Sequence, residues 1–139
     1  MKLNRDMKKR IGITVLFCNI FFAVQAQEKI DARIKEVYGE YTNEMVLNDP
    51  DLLKALNDLL QNRVKIINAT LEPDEKFEKL SQIDLLNKYN PNLTRDLVFD
   101  PSNFNVLKYK LNFFSNTLSF VYRIDNTNYL IVIEPQSFK

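Results

Sequence analysis

Leu118-Ser119-Phe120-Val121-Tyr122-Arg123-Ile124, Asp125-Asn126-Thr127-Asn128 and Tyr129-Leu130-Ile131-Val132-Ile133 follow one another without a break, and their reading decides the fold. In the first segment Leu118, Phe120, Tyr122 and Ile124 fall on one side of an extended chain, with Val121 and Arg123 on the other. In the last, every position is apolar, as expected of a strand covered on both faces. The residues between them are turn formers, since Asn tolerates the left-handed conformation and hydrogen-bonds its own backbone. Together they predict a β-hairpin with strands over 118–124 and 129–133.

Upstream of this hairpin, Leu107, Tyr109, Leu111 and Phe113 alternate with Lys108, Lys110 and Asn112, which predicts a further strand with one apolar and one wet face. The joints are built from asparagine: the chain after Ala26 has 14 Asn and one Gly, Gly39. Tyr89-Asn90-Pro91-Asn92, Asp100-Pro101-Ser102-Asn103 and Ser115-Asn116-Thr117 read as turns, the second of type I. Eleven of the 13 aromatic residues after Ala26 lie beyond residue 76, so residues 80–135 are expected to be strand-rich.

Before residue 68 the period is helical. Ile30, Ile34, Val37, Tyr38, Tyr41 and Met45 make one stripe over 30–47, and Gly39 within it costs about 1 kcal/mol without being expected to end the helix. Asp49 and Pro50 mark a second start, and Leu52, Leu53, Leu56, Leu59, Leu60, Val64 and Ile67 carry the apolar face to Ile67. Between Asn68 and Lys79, the pairs Glu72/Lys76 and Glu75/Lys79 suit one or two solvated helical turns. The expected fold is α+β: an N-terminal antiparallel helix pair over 30–67, packed on a C-terminal antiparallel meander of three or four strands.

Residues 1–26 read differently. Lys2, Arg5, Lys8, Lys9 and Arg10 precede an apolar run from Ile11 to Val24 that ends in Val24-Gln25-Ala26, the pattern of a cleaved secretory signal peptide. The run is 14 residues long and contains Asn19, whereas a membrane span needs about 20. Cys18 lies mid-run behind Val15-Leu16-Phe17, which does not suit lipid attachment. The expected product is an exported single domain over 27–139, periplasmic or extracellular, with no stable membrane span after cleavage. Removing five basic residues and one acid from the chain's 19 and 18 leaves 14 and 17, a net charge of −3. Such a surface does not suit nucleic acid.

The chain has no His and no Trp, and its one Cys, Cys18, leaves with the leader. Ser-His-Asp and Cys-His catalysis and the common zinc sites are therefore excluded, and no catalytic residue, metal or cofactor is expected. Asp49-Pro50-Asp51 reads as a helix start rather than a metal-binding pair. Asp125-Asn126-Thr127-Asn128 lacks the Gly and Glu of a calcium loop. Asn68-Ala69-Thr70 and Asn92-Leu93-Thr94 match the glycosylation sequon.

The feature with functional leverage is the apolar excess of the last strands. Leu130 and Val132 point away from Tyr129, Ile131 and Ile133, and two short helices cover only one sheet face. Val121, Arg123, Leu130 and Val132 are therefore the candidate partner-binding residues. The function expected is a non-enzymatic accessory subunit or inhibitor that binds another envelope or secreted protein, with a homodimer as a further possibility. Two alternatives stand beside it. One is a carboxylate-dependent polysaccharide hydrolase using Asp84, Asp96 and Asp100 in one cleft. The other is a carrier of a small apolar ligand in an enclosed cavity.

Overall fold

The structure, a computed structural model, describes residues 29–70 and 76–136. The leader reading over 1–26 and the pairs Glu72/Lys76 and Glu75/Lys79 fall wholly or partly outside those residues. Helix α1 (Ala32–Tyr38) starts at Asp31, whose carboxylate accepts from the Arg33 N–H at 2.8 Å and from its guanidinium at 2.7 Å. It buries Ile34, Val37 and Tyr38. Gly39 then ends it, at φ +52° and ψ −130°, a conformation that side chains with a Cβ avoid. The expected single helix over 30–47 is thus broken into α1, a 3-10 turn at Gly39–Tyr41 and a wide π turn at Thr42–Leu47. Helix α2 (Pro50–Asp58) begins as its sequence predicts, with Asp49 accepting from the Leu52 N–H at 3.0 Å.

The second expected helix also stops early. A π turn at Leu59–Arg63 leads straight into strand β1 (Val64–Asn68). Val64, Ile66 and Ile67 are β-branched and lose side-chain freedom in a helix. In the strand, Val64 and Ile66 instead pack against the core, with Lys65 exposed between them. Their apolar spacing suits both periods, and tertiary pairing chooses the strand.

The molecule is α+β, with a mixed sheet in the order β1-β4-β3-β2. Strand β2 is Glu78–Lys79, β3 is Phe120–Arg123 and β4 is Tyr129–Ile133. The hairpin is present, with Asn126 at φ +56° in its tip and the Ile124 N–H donating to the Tyr129 carbonyl at 3.0 Å. Strand β4 lies in the interior of the sheet, antiparallel to both β1 and β3. Strand β2 runs parallel to β3, so the sheet is not the antiparallel meander expected.

The ladders sort side chains onto two faces. Val64, Ile133 and Phe120 share one row and Ile66, Ile131 and Tyr122 the next, all packed in the core with α1, α2 and the loop aromatics. The predicted strand over 107–113 is half right. Leu107, Tyr109, Leu111 and Phe113 are buried, but the chain there forms a 3-10 turn at Val106–Lys108 and only an isolated bridge between Leu85 and Tyr109. A 3-10 turn has three residues per turn, which swings Lys108 inward instead of leaving it wet. Arg63 joins the layers: buried, it donates to Asp58 at 2.8 Å, to the Phe113 carbonyl at 2.8 Å and to the Glu134 carbonyl at 3.2 Å.

Candidate functional site

The four residues singled out on the last strands do share a face. Lys65, Val132 and Val121 form one row across β1, β4 and β3, and Ile67, Leu130 and Arg123 form the next. None of the six belongs to the core cluster. Their accessibility differs, however. Leu130 is only 6% exposed, so as a contact residue it is out of a partner's reach, whereas Ile67 in the same row is 41% exposed. Val121, Arg123 and Val132 are half-buried, and Lys65 is exposed and pairs with Glu134. The accessible part of this outer face is therefore an apolar strip of Ile67, Val132 and Val121 between cationic side chains.

The acids of the hydrolase alternative do not meet. Asp84 is exposed and pairs with Lys110 at 3.6 Å. Asp96 pairs with Lys108 at 2.6 Å on the rim of a different cleft. Asp100 caps its own turn, accepting from the Ser102 N–H at 2.9 Å, and this bond with that from Asn103 holds its carboxyl below the ordinary carboxylate range. Each acid has a separate structural task.

Around Asp96 lies a cleft of about 350 Å³ that the sequence did not single out, lined by Leu80, Tyr109 and Ile124 and rimmed by Arg95, Asp96 and Asp125. The Arg95 guanidinium lies over the Tyr109 ring, 5.6 Å from its centroid, and donates to the Leu80 and Ile83 carbonyls. Burial, with the Asp96 charge behind it, pushes the Tyr109 phenol above its ordinary value and keeps it neutral. Burial would raise Asp125 as well. Two hydrogen bonds from Ser81, from its hydroxyl at 2.6 Å and its N–H at 2.9 Å, together with the backbone N–H of Asp125 itself and the Lys79 charge, outweigh that and hold the carboxyl below the ordinary range. Every acid here is already engaged, and the cleft opens to solvent with charges on its rim, unlike the enclosed apolar cavity of a lipid-type carrier.

On the other side of Lys108 is a larger groove of about 570 Å³, between α1, β1 and the 101–106 turn. Lys108 bridges the two hollows, with Asp96 at 2.6 Å and Glu36 at 3.7 Å, while Asn105 donates to Glu36 at 2.8 Å. No group of His, Cys, Asp or Glu among the described residues is arranged to hold a metal ion, and no described helix is long and apolar enough to cross a membrane. No family model, no curated protein and no solved structure matches the chain.

Proposed function

We propose that this chain is an exported, non-enzymatic protein of the cell envelope or secreted fraction that binds another protein as an accessory subunit or inhibitor. The observation that carries the reading is the two-sidedness of the sheet. One face is packed into the core, while Ile67, Val121 and Val132 lie outside it as an apolar strip on the other. Export is supported by the basic, apolar and small-residue segments of residues 1–26, and the absence of His and Cys after the leader fits a binding role.

Leu130 contributes indirectly, as the buried support of the strip. The test is capture of a stoichiometric partner from the envelope fraction after gentle crosslinking, with a V121K/V132K double variant beside the parent. The variant is expected to weaken capture at least tenfold while circular dichroism stays unchanged. A Leu97→Lys control, on a fully exposed side chain, should capture normally. Equal capture by the double variant, or return of the domain alone, overturns the proposal.

A further inference from the structure

Strand β1 is an edge of the sheet, and its ladder shows which of its amides are free. The Glu134 N–H donates to the Arg63 carbonyl at 2.9 Å and the Ala69 N–H to the Asn128 carbonyl at 2.9 Å. Those two bonds fix the antiparallel phase: Lys65 and Ile67 turn their backbone groups towards β4, and Val64, Ile66 and Asn68 turn theirs outward. The Val64 N–H closes the preceding π turn on the Leu59 carbonyl. The N–H and C=O of Ile66 and Asn68, and the Val64 C=O, bond no described residue. Natural edges are usually guarded by charge. Here the charge, Lys65, lies on the outer face, tied to Glu134. The core-side face of the edge instead presents Val64 and Ile66, and these line the groove of about 570 Å³.

We infer that this edge takes a single extended peptide segment of a partner protein by strand addition, with alternate uncharged apolar side chains seated in the groove. A strand aligned on β1 would bond the outward groups of Ile66 and Asn68 and place every second side chain beside Val64 and Ile66. There the groove offers Leu60, Phe104 and Val106. The acids on its wall are already engaged, Asp31 by Arg33 and Glu36 by the Asn105 amide and by the Lys108 that it shares with Asp96, so a charged side chain finds no unengaged partner inside. A second copy of the chain fits less well. Antiparallel pairing of two β1 strands places both core faces on the same side, so each copy's α1 and 101–106 turn would compete for the same space. A lone strand brings no such wall.

The edge shares strand β1 with Ile67 of the outer strip but uses its outward backbone groups and its core-side groove, so substitutions at Val121 and Val132 tell this inference apart from that docking face. The probe is a panel of capped peptides that alternate Thr with Val, Ile, Leu or Phe and carry a terminal Lys for solubility. Binding is read by amide hydrogen exchange and nitrogen-15 chemical shifts of the intact domain. Slowed exchange at Ile66 and Asn68 is expected. N-methylation of the peptide amides facing β1 should weaken binding at least tenfold, whereas N-methylation of the intervening amides should not. Asn68→Pro removes an outward donor without removing a ladder bond and should weaken binding similarly. V121K/V132K should bind the peptides as the parent does. Absence of binding across the panel, equal effects of both N-methylation patterns, or shifts confined to the Val121 and Val132 face would each overturn the inference.

Discussion

Removing Asp96 should destabilise the domain more than removing Lys108, although Lys108 is the buried member of the pair. The Lys108 side chain is 5% exposed and that of Asp96 35% exposed, with the ammonium 2.6 Å from one carboxylate oxygen. Asp96→Ala leaves a desolvated ammonium whose remaining carboxylate, Glu36, is 3.7 Å away and already accepts from Asn105. Breaking a fully buried pair costs about 3–5 kcal/mol, and Glu36 and the adjoining cleft reduce that here to about 2–3 kcal/mol. Lys108→Met removes the buried charge, keeps most of the side-chain volume and lets both carboxylates rehydrate, for a cost of about 0–1 kcal/mol. At this chain length about 1 kcal/mol corresponds to roughly 4 °C, so Asp96→Ala should lower Tm by about 10 °C and Lys108→Met by less than about 4 °C. Urea unfolding at pH 7, with matching m values, measures both. If Lys108→Met proves as costly as Asp96→Ala, the reasoning from desolvation is wrong and the pair adds net stability through its own attraction.

Gly39→Ala should cost about 1–2 kcal/mol, because the left-handed φ is strained for alanine. The nearest atoms to an added Cβ, at 3.8 and 3.9 Å, make only ordinary contacts, so denaturant titration should find the cost without a change in m. Ile131→Ala, at a fully buried position in the interior strand, should cost about 2–5 kcal/mol by the same assay. Leu97→Ala, at a fully exposed side chain, should stay within about 0.5 kcal/mol. Asp31 is held below the ordinary range chiefly by the Arg33 side chain, and Asp125 ends below it because the Ser81 bonds, with its own backbone N–H and the Lys79 charge, outweigh burial. In both cases the unfolded state binds protons first as pH falls. The stability they add is therefore complete above their unfolded values and is lost as pH drops below about 4. Ser81→Ala should raise the Asp125 midpoint in a carbon-13 carboxyl titration and flatten the acid limb of the stability curve.

Where one period dominated, the fold was legible. The hairpin of β3 and β4, the cap at Asp49 and the buried parity of Leu107 to Phe113 all follow from local pattern, because each needs only neighbours in sequence. What escaped depends on distant partners. Val64 and Ile67 continue a helical stripe and also begin a strand, and only pairing with β4 decides between them. Gly39 reads as a tolerated helix residue until its φ is known. The outer face of the sheet was legible as a face, but the burial of Leu130 was not, since no rule of alternation distinguishes it from Val132. Lys108 was misplaced because a 3-10 turn interrupts the alternation that made it look wet. The β1 edge is invisible to local pattern because the apolar spacing of residues 64–67 also fits a helix.

The strand that β1 and β3 both need is the last of the four to be synthesised. Val64 waits for Ile133, 69 positions along the chain, and until β4 arrives β1 has no partner within its own sheet. During synthesis the upstream chain can form helical turns and loose apolar clusters, but not this sheet. Such a topology delays commitment to the native state and favours slow, late closure over stepwise assembly.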